Sequence, residues 1–196
     1  MEVDIGWFAV LGFAFGLAAF LRWIFHDITG FTGRPRLTLS HGPFVINWQS
    51  IDTDETRRFV HFEATSKKGI ARHCIAKARI VRRPDNVNNM AVPQEEFPLH
   101  WADTPYSTVS TEAEAVDVRT ETRRLDIVFT TSRFSGQSWL ATPLALAAPG
   151  KVPQATLPPG EYILEVIVSC ENGKGDTGLI KLTSPEDWQE LEAEKA

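Results

Sequence analysis

The chain has 196 residues, 43% of them hydrophobic and 23% charged, with 20 Lys+Arg against 25 Asp+Glu for a formal net charge of −5. This acidic balance argues against a nucleic-acid-binding face, and the length leaves room for one domain with a full core and little else. The two cysteines, Cys74 and Cys170, are too few for a disulfide scaffold and stand in no CxxC or His-Cys metal spacing.

From Ile5 to Leu21 seventeen consecutive residues carry no charge, and Arg22 is followed by Trp23, Ile24 and Phe25. As a helix the uncharged run is roughly 25 Å long, and about 31 Å to Phe25, which matches a hydrocarbon core if Arg22 snorkels to the headgroups. A cleavable signal peptide needs a basic start and a small-residue cleavage site. Here Glu2 and Asp4 precede the run and bulky residues follow it. A core helix of a soluble domain would carry a polar face, and this run is apolar all round. Residues 1–25 are therefore expected to be a single-pass transmembrane anchor, with Trp7, Arg22 and Trp23 at the membrane interfaces. The acidic N-terminal flank and the C-terminal Arg22, Arg34 and Arg36 place the N-terminus outside and the body in the cytoplasm by the positive-inside rule. Gly12 and Gly16 form a GxxxG pair, a face through which two such helices can make a homodimer.

Residues 26–35 contain two glycines and a proline and read as a short tether holding the body near membrane lipid. Glu2, Asp4 and Arg22 together contribute −1, which leaves −4 for the rest of the chain. Beyond the tether, period-two alternation predicts half-buried strands: 36–40, 44–48, 58–65 with Val60, Phe62 and Ala64 on one face, and 71–81 with Cys74, Ala76, Ala78 and Ile80 on one face. Residues 83–89 are a loop by composition, 97–101 a short strand, and 116–118 and 125–129 two more strands around a charged turn. Residues 139–146 carry Pro143 and are expected to be an edge or broken strand. Leu157-Pro158-Pro159-Gly160 stops the chain before the strongest strand signal, 161–170, and Asn172-Gly173 opens a hairpin returning through 178–183. Ser184-Pro185-Glu186-Asp187 has the form of a helix start, so residues 185–196 are expected to be a short helix and tail, with Trp188 and Leu191 docking on the body.

The alternating strands from Phe59 to Ile80, the charged turn before Arg124–Phe129 and the hairpin from Leu157 to Gly173 together resemble immunoglobulin-like sandwiches of the CARDB and fibronectin type III kind. The resemblance covers most of residues 36–183. It implies an all-β fold, an Ig-like antiparallel β-sandwich of about seven to nine strands occupying residues 36–184. It implies adhesion, spacing or ligand presentation and carries no shared catalytic residues. The long segment between Arg82 and Val116 and the strand near Trp139 depart from the pattern.

Catalytic motifs do not emerge. Asp52-Thr53-Asp54-Glu55 lacks calcium-loop spacing and reads as a solvated turn. His61 and His73 fall on the strand faces opposite Val60, Phe62 and Cys74, which disfavours a zinc site. Ser135-Gly136-Gln137-Ser138 is no nucleophile elbow, Glu95-Glu96 and Glu112/Glu114 fall in loops, and Gly173-Lys174-Gly175 opens no helix as a phosphate loop would. The cysteines are expected to be buried thiols, a disulfide requiring an oxidising compartment. The apolar stretch with Trp139, Leu140 and Leu144 is the candidate partner surface. The expectation is a membrane-tethered, non-catalytic module that binds another protein, with no cofactor and no metal. The alternatives are an extracellular adhesion domain, or a membrane-bound hydrolase with its site in residues 82–116.

Overall fold

Strand alternation, interrupted by four register breaks among the described residues, determines how this chain is laid out. The computed structural model describes residues 34–40, 42–49, 55–83, 95–105 and 113–196. The expected anchor at 1–25, with Gly12 and Gly16, most of the tether, and the acidic turn at 52–54 lie outside the described residues. Among the described residues no helix is long and apolar enough to cross a membrane. Residues from Pro35 to Ala196 form one compact unit.

Among the described residues thirteen strands, more than the seven to nine expected because several are short pairings of two to four residues, make two antiparallel sheets that pack as a sandwich: β1 (Arg36–Leu39), β2 (Phe44–Gln49), β3 (Thr56–Lys67), β4 (Ala71–Arg82), β5 (Glu96–Pro98), β6 (His100–Trp101), β7 (Ala115–Val118), β8 (Arg123–Thr131), β9 (Phe134–Leu140), β10 (Thr156–Leu157), β11 (Gly160–Ser169), β12 (Asp176–Ser184) and β13 (Glu192–Lys195). The larger sheet runs β1-β3-β8-β9-β10, with β2 also on β3 and β6 also on β8. The smaller runs β13-β12-β11-β4-β5, with β7 also on β4.

The inner faces are those that alternation assigns. Val60, Phe62 and Ala64 of β3, Cys74, Ala76, Ala78 and Ile80 of β4, and Tyr162, Leu164, Val166 and Val168 of β11 are all buried. Burial of this continuous apolar layer is the main stabilising term. The two sheets approach closely at Gly178, where an added Cβ would lie 2.9 Å from the Phe62 ring. The hairpin between β11 and β12 is tight for a similar reason: a Cβ on Gly175 would meet the Val168 carbonyl oxygen at 1.9 Å. The same hairpin ties the sheets together, since Leu37 N donates to Lys174 O and Lys174 N to Pro35 O, each at 2.9 Å.

Three expected elements differ. The strand expected at 97–101 is two strands in different sheets: β5 pairs with β4 and β6 with β8, the chain crossing between them at the buried Leu99. The strand expected over 139–146 ends at Leu140. Pro143 then begins helix α1 (Pro143–Ala147), because Thr142 caps it by accepting from Ala145 N and a proline at the first helical turn sacrifices no hydrogen bond. The C-terminal helix is also corrected. After a single 3-10 turn at Trp188–Glu190 the chain becomes β13, pairing Ile180↔Lys195 through Thr183↔Glu192. Covering the open edge of β12 and burying Leu191 outweigh the local helix preference.

The candidate partner surface is corrected as well. Trp139 and Leu140 are fully buried and present no surface; Leu140 lies opposite Val128 on the inner face, and Trp139 lies opposite Phe129 within the covered outer layer described next. Leu144 is half-buried on α1.

Candidate functional site

The outer face of the larger sheet holds the most chemically loaded group of side chains among the described residues. It starts from a register break. β3 places Arg57, Phe59 and His61 on its outer face by alternation. Simple alternation along β8 would put Phe129 and Asp126 on opposite faces. The register instead passes from Phe59↔Phe129 and Val60↔Val128 to His61↔Asp126, skipping Ile127. This bulge resets the phase, so Phe129, Asp126 and Arg124 all face outward.

On this face Phe59, Phe129 and Trp139 stack in a row across three strands, with centroids 5.7 and 5.6 Å apart, and Phe134 meets Trp139 edge-on. Two guanidinium groups cap the row: Arg57 lies 5.4 Å from the Phe129 centroid and Arg124 5.9 Å from that of Phe59. Arg57 is fixed from two other sides. Its Nε donates to Glu55 Oε1 at 2.9 Å and its Nη1 to the Leu146 carbonyl of α1 at 2.9 Å. Glu55 also accepts from Thr131 at 2.6 Å. Burial opposes ionisation of Glu55, but the Arg57 and Thr131 bonds outweigh it and hold its pKa below the usual value.

β6 brings in His100, directly opposite Asp126 on the far side of β8 from His61. A row His61–Asp126–His100 therefore crosses three adjacent strands. His100 Nδ1 lies 2.9 Å from Glu114 Oε2, which also accepts from Thr104 at 2.6 Å. Burial lowers the His100 pKa, with Glu114 pulling the other way. Asp126 is buried, and desolvation, opposed by Arg124, pushes its pKa up to about 6. Its Oδ1 lies 3.0 Å from Arg124 Nε, an ion pair too poorly aligned to count as a hydrogen bond, so neither atom has a hydrogen-bond partner among the described residues. His61 is buried too, its pKa lowered to about 4 by desolvation and then by Arg124, with its ring 5.6 Å from that of Phe44.

Between these groups lies a cavity of about 140 Å³ lined by Trp48, Arg57, Phe59, His100, Ala102, Arg124, Asp126 and Leu146. That volume admits several waters or one side chain of a partner. At its rim β2 presents Trp48, 42% exposed, and further along the same strand Phe44, 45% exposed, lies against His61. Among the described residues β2 pairs with β3 alone.

The partner surface expected from the sequence, at Trp139, Leu140 and Leu144, falls on the neighbouring strand β9 and on α1, and the recess itself is not among the expected sites. Two signals were available: an aspartate inside the otherwise apolar strand Leu125–Phe129, and a His-Trp pair after Pro98. The interface residues Trp7, Arg22 and Trp23 lie outside the described residues. His73, expected to face outward, is exposed and sits 2.5 Å from Glu171. His61, expected outward as well, does lie on the outer face but is buried there, in ring contact with Phe44. Among the described residues no group of three or more His, Cys, Asp or Glu is placed to hold a metal ion. No protein-family model matches the chain, and neither a curated protein nor a solved structure is significantly similar to it.

Proposed function

We propose that this chain is a single-pass membrane protein whose Ig-like sandwich, on the cytoplasmic face, is a non-catalytic module that binds another protein through the recess and the β2 rim. The carrying observation is the composition of that surface: two exposed aromatics, Phe44 and Trp48, on the strand beside two arginines placed over buried rings. Trp, Tyr and Arg anchors over a dry aromatic base dominate protein–protein binding energy. The ionisable groups support binding over catalysis. Glu55, Arg57, His100 and Glu114 are locked into one another or into backbone, and Asp126, the carboxylate lining the cavity, is ion-paired with Arg124 at 3.0 Å. The Ig-like assignment is supported by Tyr162, whose hydroxyl donates to the Pro158 carbonyl at 2.8 Å, a tyrosine-corner arrangement at the start of a long strand. The anchor rests on the uncharged run from Ile5 to Leu21.

Two experiments on the full chain test this. Alkaline carbonate washing should leave it in the membrane, and release into the supernatant would refute the anchor. A fluorescent reporter after Ala196 should light up in the cytoplasm, whereas activity of a phosphatase reporter at that position would reverse the orientation.

One observation favours a second reading, with the body in an oxidising compartment as an adhesion or structural domain. Cys74 and Cys170 sit with their sulfurs 2.8 Å apart, and paired thiols persist as disulfides outside the cytosol.

A further inference from the structure

The two cysteines are far apart in sequence and adjacent in space. The register of β11 on β4, Val168↔Ala76 and Ser169↔Ile75, continues by one step to place Cys170 opposite Cys74. Their Sγ atoms are 2.8 Å apart, about 0.8 Å beyond a bonded pair. Bond formation therefore needs only a small side-chain shift, with the strands already in place.

The surroundings differ for the two sulfurs. Cys74 is fully buried beside Ala71, whose carbonyl lies 3.4 Å from its sulfur. Cys170 is half-buried at the end of β11, where the chain leaves the sheet for the hairpin. The local backbone is built to hold this end firmly. His73 adopts φ +46° at a register break between β4 and β7, and Asp117 accepts from His73 N at 3.1 Å. Asn172 accepts from Arg72 N at 2.7 Å and donates to Ile70 O at 3.0 Å, and Glu171 N donates to Arg72 O at 3.0 Å. Four hydrogen bonds thus brace the segments that carry the two thiols.

We propose that Cys74 and Cys170 are a cross-strand thiol pair that closes to a disulfide by exchange with a low-molecular-weight disulfide, Cys170 attacking first and Cys74 resolving. In the first step the Cys170 thiolate attacks one sulfur of the small disulfide, forming a mixed disulfide and releasing one small thiolate. In the second, Cys74 gives up its proton and attacks the Cys170 sulfur, releasing the second small thiolate. Two protein thiols are oxidised, one small disulfide is reduced to two small thiols, and the released thiolates take up the two protons. The order follows from access, because only Cys170 reaches solvent. It also follows from charge: the contact between the two sulfurs lowers the Cys170 pKa and, with burial, raises that of Cys74. This inference is independent of the protein-binding reading.

The test uses the full chain in detergent, equilibrated with oxidised glutathione, then alkylated with iodoacetamide after unfolding and weighed intact. The wild type should lose two hydrogens, take up no alkyl group, and regain two alkylatable thiols after dithiothreitol. Two alkylated thiols in the glutathione-treated wild type, an unresolved glutathione adduct, or a disulfide-linked dimer would overturn the proposal. Cys74→Ala should trap glutathione on Cys170, while Cys170→Ala should leave Cys74 unmodified as long as the protein is folded. The reverse pattern would overturn the assigned order, and the wild-type measurement stands whether or not either variant folds.

Discussion

Arg124 and Asp126 lie two residues apart on one face of β8, with Nε 3.0 Å from Oδ1, the carboxylate buried and the guanidinium a third exposed. The relationship makes Asp126 dependent on Arg124 whenever it is ionised. The folded-state pKa of Asp126, about 6, lies above its unfolded value of 3.8. Its contribution to stability is therefore full below about pH 4 and lost as pH rises through about 6. At neutral pH the ionised group relies on its partner. Arg124→Gln should destabilise the body by about 2 kcal/mol at neutral pH, below the range for fully buried pairs because the arginine is partly solvated. Urea unfolding at pH 7 and pH 5 should show the loss shrinking at the lower pH. An equal loss at both would contradict the proposed dependence.

His61 responds to acid in the opposite sense. Its pKa falls from 6.5 to about 4 on folding, so the stability it confers is present above 6.5 and lost as pH falls through about 4. At 1.36 kcal/mol per pKa unit the effect is at most about 3 kcal/mol. His61→Phe keeps a ring against Phe44, and its urea midpoint should change less than that of the wild type between about pH 7 and pH 4.5. An unchanged acid dependence would mean that His61 is solvated.

Tyr162→Phe removes one hydroxyl that donates to Pro158 O and leaves the buried ring in place. Equilibrium unfolding should record a loss of about 1 kcal/mol, the net worth of a single neutral hydrogen bond. No loss would show that this corner does not brace the start of β11.

Two glycines should respond differently to alanine. Gly69 has φ +111° and open space around it, so its cost is conformational, about 1 kcal/mol. Gly175→Ala would drive a Cβ onto the Val168 carbonyl oxygen and force the hairpin apart, at a cost of more than about 2 kcal/mol. Thermal unfolding of the two variants side by side checks the ranking.

Much of this architecture could be read from alternation alone. The long strands β4, β11 and β12 carry clean period-two patterns, and the inner faces of these and of β3 are those the pattern assigns, although β3 also buries Phe59 and His61 on its outer face. The recess could not be read the same way, because it depends on a bulge at Ile127 and on a chain crossing at Leu99, neither of which leaves a periodic trace. The apolar stretch at Trp139 misled for a related reason. An outer face is normally wet, but here Arg57, Arg124 and α1 cover it, so its aromatic residues became a second buried layer. The C-terminal segment has good local helix chemistry, and only the unpaired edge of β12 makes it a strand.

The outer face of the larger sheet is the surface proposed to receive a partner protein. The most direct measurement places a photo-cross-linking amino acid at Trp48 in the full chain, in its native membranes, and compares it with the same probe at Leu179, an equally exposed position in the smaller sheet. A discrete protein adduct should form from position 48 and not from 179, and Arg57→Ala should abolish it. No adduct from position 48, or the same adduct from both positions, would contradict the assignment of this face.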